Sequence, residues 1–491
     1  MALLQIGFEH LIAHPVVILY MLFGMFMGLV FGTIPGLTGA LAITLLLPFT
    51  FLMAPTDGLF LLIAIYVGGV SGGLCSAILL NIPGTPAAII TTYDGAPMAR
   101  KGRPADALAI GVLSSVIGGV ISTFALILIA PQLAKLALKF GPWEYFAMGM
   151  MGLCVVISLT SKTPLKGFMS AVVGILLACV GTDPISAVSR YSFTWQMDAG
   201  LDVLPVLMGL FAVAEILTQV KTMGREMTVI SVSKKIPLIP KKEYLKGDGK
   251  NLIVSSLIGI FIGILPGVGQ TTSSLLAYNT QRQSSKNPEE YGTGIKSGII
   301  ASESANNACC GGALIPMMTM GIPGDLVTAI LLGGLIVHGL QPGPMLFQYN
   351  KDVVGVIFVS YLLSNILMFI IFMLLMRFFI KILNVPMHYL FPIILVMCVI
   401  GSFAINNRLF DAWVLFIIGI AGYLLLNLGF SLAPIVLGFV LGPIVELNYR
   451  TAIVTFKGDI TTLFERPISI GLLLFGIAMV IIPELRKRKR P

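Results

Sequence analysis

The chain has few charged residues and few side chains able to bind a metal. Charged residues make up 11% of its 491 positions, whereas a soluble domain carries about 25%. Histidine occurs four times and cysteine six times, and the cysteines lie in apolar stretches without the spacing of a metal site. These shortages argue against a soluble protein and against metal catalysis. We also expect no catalytic residue, no cofactor and no enzymatic activity.

Hydrophobic residues are abundant instead, at 57% of the chain. Apolar runs of roughly 20 residues, the length that crosses a bilayer, recur along the whole sequence. The 53 glycines and 28 prolines are typical of closely packed and interrupted membrane helices. The predicted fold is an all-α multi-pass membrane protein with about a dozen transmembrane or re-entrant helices.

The basic residues behind the net charge of +9 are concentrated in two segments. Eight lie between positions 221 and 250, and five lie at 486–490. Both segments flank apolar spans, so the positive-inside rule predicts that both are cytoplasmic, and we expect no nucleic-acid partner. The sequence thus predicts membrane repeat 1 at 1–220, a basic cytoplasmic linker at 221–250, and membrane repeat 2 with C-terminal scaffold helices and a basic tail at 251–491.

Two phrases of the sequence occur twice, in the same order. The pattern Gly-x-x-x-Gly-x-x-Pro-Gly occupies 28–36 and again 259–267, and Ile-Pro-Gly occupies 82–84 and again 322–324. We interpret the halves as homologous repeats, either inverted or parallel, with a small insertion near 281–293. Proline and glycine interrupt the backbone hydrogen bonds of a helix. A bilayer tolerates such an interruption only where protein or a water-filled cavity satisfies the freed backbone groups. Secondary transporters place their sites at such broken helices.

The two breaks are candidate binding sites, because a half-helix leaves its first amides unpaired and attracts anions such as carboxylates. The alternative is that glycine and proline here only allow helices to pack or kink. Nearby hydroxyl and amide side chains favour a site. The predicted substrate-binding residues are Pro35, Gly36, Thr38, Asn81, Pro83, Gly84, Pro266, Gly267, Gly269, Thr271, Thr272, Asn306, Asn307, Pro323 and Gly324.

A polar run inside an apolar segment predicts a site for a coupling ion. It contains Ser302, Glu303, Asn306 and Asn307. Such residues are costly in a membrane segment unless they are used. Amide oxygens and opened carbonyls suit a hard cation such as Na+, whereas Glu303 could instead carry a proton or pair with Lys296. Apart from such a transported ion, no metal is expected. Asp325 either caps a helix or faces water.

At these motifs the sequence resembles the large membrane subunit of the tripartite tricarboxylate transporter family, the TctA-like proteins. The matching pieces are 32–36, 80–84, 93–98, 263–267, 296–307 and 321–324. The resemblance implies a multi-pass protein of the bacterial inner membrane that imports organic carboxylates with an ion and without ATP hydrolysis. It also implies a small membrane subunit (TctB-like) and a periplasmic solute-binding protein (TctC-like) as partners.

The resulting prediction is the translocation subunit of a secondary transporter, importing di- or tricarboxylates by cation symport, with Na+ favoured over H+. The alternative is a membrane subunit of an ion-pumping enzyme complex that processes carboxylates. That alternative requires an essential aspartate within the membrane, for which Asp325 is the candidate. A purely structural scaffold would not need polar residues at the breaks.

Overall fold

The computed structural model describes residues 2–160, 163–221, 242–383, 385 and 387–488. Helices make up most of this part of the chain, and its only regular strands are two paired dipeptides. This confirms the all-α membrane class. Most of the basic linker, residues 222–241, and the last three residues of the basic tail lie outside the described residues.

The helices vary widely in length, and several are interrupted by glycine or proline. In chain order they are α1 (Ala2–Ala13), α2 (Val17–Thr33), α3 (Gly39–Thr50), α4 (Pro55–Leu79), α5 (Thr91–Arg100), α6 (Pro104–Ala137), α7 (Pro142–Thr160), α8 (Pro164–Ala178), α9 (Val203–Met208), α10 (Ala214–Val220), α11 (Gly249–Ile264), α12 (Gly269–Ser284), α13 (Lys296–Met320), α14 (Leu326–Val337), α15 (Leu346–Tyr349), α16 (Lys351–Ile382), α17 (Met387–Asn406), α18 (Leu409–Asn427), α19 (Leu432–Thr455) and α20 (Pro467–Arg488).

Shorter elements connect these helices. Single turns of 3₁₀ helix lie at Pro86–Ile89, Trp195–Met197, Lys242–Tyr244, Pro288–Glu290 and Ile460–Leu463, and a π turn, Gly209–Val213, joins α9 to α10. The strands β1 (Gly181–Thr182) and β2 (Ser189–Arg190) pair antiparallel in a small hairpin after α8.

Judged by their length and composition, fewer helices can span a membrane than the apolar runs of the sequence predict. Six of the described helical segments are long and apolar enough, or seven if α1 and α2, which meet at 99°, form one span. Further apolar helices are shorter, with 12 residues in α3, 16 in α11 and 12 in α14. Short helices of this kind arise because the Pro-Gly breaks divide what the sequence presents as continuous apolar runs.

Close glycine contacts join α2 to α4 in the first half and α11 to α13 in the second. A β-carbon added at Gly72 would lie 2.7 Å from the carbonyl oxygen of Leu29, and one at Gly312 would lie 2.5 Å from that of Ile260. Both would also lie 3.0 Å from the Cα of a glycine, Gly32 or Gly263 respectively. The two helix pairs therefore pack backbone against backbone, which only glycine permits.

The two halves are interleaved. Helix α6 of the first half packs along α13 of the second, and α16 of the second half packs along α4 of the first. Helices α7, α8, α19 and α20 pack together beside them, and α19 also contacts α14. This arrangement brings the interrupted helices of both halves together in the buried centre of the protein.

Candidate functional site

Each Pro-Gly phrase separates two helices. Helix α2 ends at Thr33 and α3 begins at Gly39, while α11 ends at Ile264 and α12 begins at Gly269. The second residue of each Pro-Gly pair has a positive φ, 87° at Gly36 and 73° at Gly267. Other L-residues adopt this conformation only at a cost, so the glycine makes the chain turn between the two helices.

The second pair of phrases ends α4 and α13 in the same way. Asn81 follows α4 with φ 56°, and Gly321 follows α13 with φ 69°. Asparagine is one of the few residues other than glycine that tolerate this conformation, which commonly ends a helix. The pairing of Asn81 with Gly321 therefore has a conformational explanation. The side chain of Asn81 is exposed.

The N-terminal ends of three helices meet at a cavity of about 240 Å³. They belong to α3, α12 and α14, and the start of α19 forms another wall. The lining residues are Thr38, Gly39, Ala40, Gly69, Val70, Thr85, Pro86, Ala87, Gly267, Val268, Gly269, Gln270, Thr271, Asp325, Leu326, Val327, Ala433 and Leu437. Both halves contribute, so this is where the duplicated breaks face one another.

The cavity contains only part of the predicted substrate-binding set. Thr38, Gly267, Gly269 and Thr271 line it. The other predicted residues do not line it: Pro35, Gly36, Asn81, Pro83, Gly84, Pro266, Thr272, Asn306, Asn307, Pro323 and Gly324. Gly324 has a packing role, because a β-carbon there would lie 2.5 Å from the Gly263 carbonyl oxygen.

Three polar residues of the cavity were not among the predicted site residues: Thr85, Gln270 and Asp325. Each directly follows a repeated motif or lies within three residues of one. Reading two or three residues beyond each glycine would have found them. The α19 residues have no such signal, since that part of the sequence lacks a repeat landmark.

Asp325 is the acidic residue of the cavity, and it is 2% exposed. Its Oδ1 accepts hydrogen bonds from the backbone N–H and the hydroxyl of Thr328, both at 2.7 Å, which caps α14. Its Oδ2 accepts from the hydroxyl of Tyr66, at 2.5 Å, and from the side-chain amide of Gln270. The structure thus gives Asp325 a capping role and also places it on the cavity wall.

No basic side chain is among the residues that line this cavity, whose polar groups are the helix ends, hydroxyls, Gln270 and Asp325. The hydroxyl of Thr85 is buried and makes no hydrogen bond with the described residues. By contrast, the Thr38 side chain is already used, because it accepts from the Leu41 N–H at 3.2 Å and caps α3.

Glu303 lies in a second polar cluster, away from the cavity lining. It is fully buried in α13, and its carboxylate accepts hydrogen bonds from the hydroxyls of Thr91 and, at 2.9 Å, of Ser115. It forms no ion pair within the described part of the chain, and Lys296 instead pairs with Asp248 at 3.1 Å. The pairing of Glu303 with Lys296 is therefore wrong.

The other members of the predicted coupling-ion set surround Glu303. Asn307 accepts at Oδ1 from the hydroxyl of Ser71, at 2.7 Å, and donates to the Glu303 carbonyl at 3.2 Å. Ser302 lies 3.2 Å from the hydroxyl of Thr91. Asn306 is fully buried, and its side-chain amide interacts with the Glu303 carboxylate. The set forms one buried group of oxygen-bearing side chains.

Asp94 joins the two halves outside the cavity. Its Oδ1 accepts from the backbone N–H groups of Gly292, Gly294 and Ile295, at 2.7–3.0 Å, and its Oδ2 accepts from the hydroxyl of Tyr278 at 2.8 Å. It thereby fixes the segment that leads into α13, at the end of the predicted insertion. The Tyr-Asp-Gly part of the resemblance thus coincides with a structural anchor.

A charged cluster holds the β1–β2 hairpin. The guanidinium of Arg450 lies 2.8–2.9 Å from both carboxylate oxygens of Asp183 and 3.3 Å from Glu446. Hydrogen bonds from Ser186, and then the contact with Arg450, hold the pKa of Asp183 well below its usual value. None of these residues lines the central cavity, so the cluster stabilises the hairpin and is separate from the candidate site.

The comparison with known families agrees with this architecture. The model of the tripartite tricarboxylate transporter TctA family matches residues 18–437, most of the chain and all of both breaks. The chain belongs to the TctA family. The resemblance seen in the motifs is thereby confirmed, and the chain is a multi-pass membrane protein of a transporter family.

Two relatives of this TctA-family chain come from Agrobacterium vitis. An uncharacterized 52.8 kDa protein in the TAR-I ttuC' 3'region is 37% identical over 491 residues, covering 99% of this chain and 97% of that protein. An uncharacterized protein in the TAR-II ttuC' 3'region is 37% identical over 234 residues, covering 47% of this chain and 97% of that protein. No solved structure matches the chain significantly.

Proposed function

We propose that this protein is the large translocation subunit of a binding-protein-dependent secondary transporter that imports organic di- or tricarboxylates by cation symport. The observation that carries the proposal is the meeting of three helix N-termini at one cavity. Unpaired amides and the positive ends of helix dipoles attract a carboxylate without a basic side chain. Family membership supports the same substrate class.

The substrate would lie between the two breaks. One carboxylate group would bind near the start of α3, at Thr38 and Gly39, and another near the start of α12, at Gly269 and Thr271. Pro35, Gly36, Pro266 and Gly267 would act through the backbone by shaping the two turns. The remaining predicted residues of the site would support these turns rather than touch the substrate.

The coupling ion would bind at the cluster of Ser302, Glu303, Asn306 and Asn307. Carboxylate, hydroxyl and amide oxygens suit Na+ as a hard cation, and a buried acid without an ion pair gains from a bound cation. The buried Asn306 amide beside the Glu303 carboxylate would supply a further oxygen ligand. A proton carried by Glu303 is the alternative coupling ion.

Two structural repeats with about a dozen spans or re-entrant helices fit this function. The equivalent glycine contacts of Gly72 and Gly312 support the repeats, whose relative orientation can be inverted or parallel. Alternating access would move the broken-helix hairpins, with the bound substrate, against the surrounding helices. Structures of two states with a stationary site would contradict this motion.

A tripartite system implies two partners, a small TctB-like membrane subunit and a TctC-like periplasmic solute-binding protein. With these partners the complex would act in the bacterial inner membrane, and its basic linker would face the cytoplasm. A cation that enters with the anion would neutralise part of its charge and so lower the cost of crossing the membrane.

The test is uptake of radiolabelled di- and tricarboxylates into proteoliposomes that contain all three subunits, with an inward Na+ gradient imposed or abolished. We expect accumulation of unchanged substrate that depends on Na+. Accumulation driven by a pH gradient alone would replace Na+ by H+. No accumulation of any carboxylate by an assembled complex, or covalent conversion of the substrate, would contradict the proposal and favour the enzyme alternative.

A further inference from the structure

Helix α4 contacts both the cluster that would hold the coupling ion and the cavity that would hold the carboxylate. Gly69 and Val70 line the cavity. The next residue, Ser71, is fully buried, and its hydroxyl donates a hydrogen bond to Oδ1 of Asn307 at 2.7 Å. Asn307 belongs to the cluster around Glu303. Three consecutive residues of one helix thus connect the two candidate sites.

The orientation of the Asn307 amide is set by its two hydrogen bonds. Its Nδ2 donates to the backbone carbonyl of Glu303 at 3.2 Å, and a carbonyl oxygen can only accept. Oδ1 therefore faces Ser71, and the Ser71 hydroxyl is the donor of that bond. An amide oxygen has two lone pairs, so Oδ1 can bind a cation while it still accepts from Ser71. A cation at Asn307 and the Ser71 hydroxyl would thus bind the same oxygen atom.

Two glycines carry the connection from α4 to the start of α3. A β-carbon added at Gly39, the first residue of α3, would lie 3.0 Å from the Cα of Gly69. The two backbones are therefore in direct contact, and a displacement of α4 at this level also displaces the start of α3. Gly39 lines the cavity at one of the two places where a carboxylate group would bind.

Helix α12, at the other break, is joined to α13 by a different kind of bond. Ser273 is fully buried, and its hydroxyl donates to the backbone carbonyl of Ala305 at 3.0 Å. Like the bond of Ser71, this bond joins two helices, but its acceptor is a backbone atom. An ion that binds the Asn307 side chain acts on the bond of Ser71 and leaves that of Ser273 unchanged. Ser273 is therefore the matched control for Ser71.

We infer that Ser71 is a positioning residue that links the coupling ion to the wall of the central cavity. An ion bound at Asn307 holds Ser71 in place, and with it the start of α3, which would bind the carboxylate. The inference rests on the proposed function for the identity of the ion and of the substrate. Ion and carboxylate would then each raise the affinity for the other, because coupling between two sites is reciprocal. Loss of the Ser71 hydroxyl would uncouple them.

The experiment measures how Na+ changes the labelling rate of a cysteine at Ala40, the second residue of α3, which lines the cavity. The purified full-length Ala40→Cys chain, in nanodiscs and without carboxylate, reacts with methyl methanethiosulfonate in Na+ or in choline at the same concentration. The chain without Ala40→Cys is the blank for native cysteines. Ser71→Ala and Ser273→Ala are each added to Ala40→Cys, and each removes one buried hydrogen bond between helices.

We expect Na+ to slow labelling at position 40 about fivefold, at the lower end of common couplings between sites. This effect should disappear in Ser71→Ala and persist in Ser273→Ala, although both variants melt at a lower temperature. An undiminished Na+ effect in Ser71→Ala would leave Ser71 a structural role only and overturn the inference, as would labelling of Ala40→Cys alone that does not depend on Na+. Should Ser71→Ala fail to fold, Ser71→Cys, a weaker donor with its own blank, should reduce the effect, and an undiminished effect there overturns the inference.

Uptake by the complete complex separates this inference from the proposed function. The KM for the imported carboxylate should fall as Na+ rises in wild type and in Ser273→Ala, and should be independent of Na+ in Ser71→Ala. If Ser71→Ala keeps the Na+ dependence of wild type, the transporter stands and the link falls. If no carboxylate is imported but Na+ slows labelling at position 40 through Ser71, the link stands and the substrate assignment falls.

Discussion

The two breaks of this protein have a similar backbone but different chemistry. In both halves a glycine of positive φ follows proline, and a second phrase ends a long helix through a left-handed residue. After that phrase the halves diverge. In the first half Thr85 precedes a single 3₁₀ turn, whereas in the second half Asp325 caps the three-turn helix α14 with a full capping box. The repeated residues account for the framework, and the residues that differ supply the polar groups.

The largest effect is expected where the framework is most alike. Replacing Gly72 or Gly312 by alanine places a β-carbon within 2.7 or 2.5 Å of a backbone carbonyl oxygen. The helix pairs must separate, at a cost of about 3 kcal/mol or more for each substitution. The check is the yield of monodisperse protein in detergent and its melting temperature.

Gly249→Ala is the control for these variants, because nothing lies within 4 Å of a β-carbon there. It should behave as wild type does. If only one of the two variants, Gly72→Ala or Gly312→Ala, has normal stability, the two helix pairs are not equivalent.

Asp94 tests the connection between the halves. Asp94→Ala removes the acceptor of four hydrogen bonds and should lower the free energy of unfolding by about 3 kcal/mol. Asp94→Asn keeps an oxygen for the three backbone amides, so we expect a loss of about 1 kcal/mol. Thermal unfolding in detergent measures both. Equal stability of wild type and Asp94→Ala would show that the segment before α13 does not depend on this anchor.

Asn81 separates the conformational explanation from the predicted role in substrate binding. Asn81→Gly should keep both stability, within about 0.5 kcal/mol, and uptake, because glycine adopts the same conformation as in the other half. Asn81→Ala should lose about 1 kcal/mol, because alanine lacks the short polar side chain that lets asparagine adopt the left-handed conformation at low cost. A stable Asn81→Gly variant without uptake would instead establish a direct role for the amide.

The smallest effect concerns the hairpin cluster, which lies outside the duplicated framework. Ser186 and Arg450 lower the pKa of Asp183. The ionised carboxylate therefore stabilises the folded protein at any pH above the ordinary aspartate pKa of about 4. This stabilisation is lost as the pH falls through the lowered pKa. The melting temperature of wild type should exceed that of Asp183→Asn by a constant few degrees from pH 7 to about 4. The difference should shrink only below that range. A difference that already disappears near pH 6 would contradict the lowered pKa.

Sequence reasoning recovered the membrane class, the interrupted helices and the region of the cavity, because Pro-Gly pairs have direct backbone consequences. It was less successful with side chains. Asn81 was predicted only as a polar ligand, whereas the structure also places it at a left-handed helix end, which its pairing with Gly321 could have revealed. Asp325 and Gln270 meet Tyr66 only through tertiary packing, 204 to 259 positions apart. No local pattern encodes such a contact.

The most direct test of the account is protection of the cavity by its substrate. A cysteine at Thr271, which lines the cavity, is labelled with a small thiol reagent in a variant that still imports, with the wild-type chain as the blank for native cysteines. A cysteine at Tyr349, a residue that is 78% exposed, serves as the control. We predict that a transported carboxylate, added with Na+, slows labelling at position 271 and leaves position 349 unchanged. Unchanged labelling at position 271 with every transported carboxylate would contradict substrate binding in the central cavity.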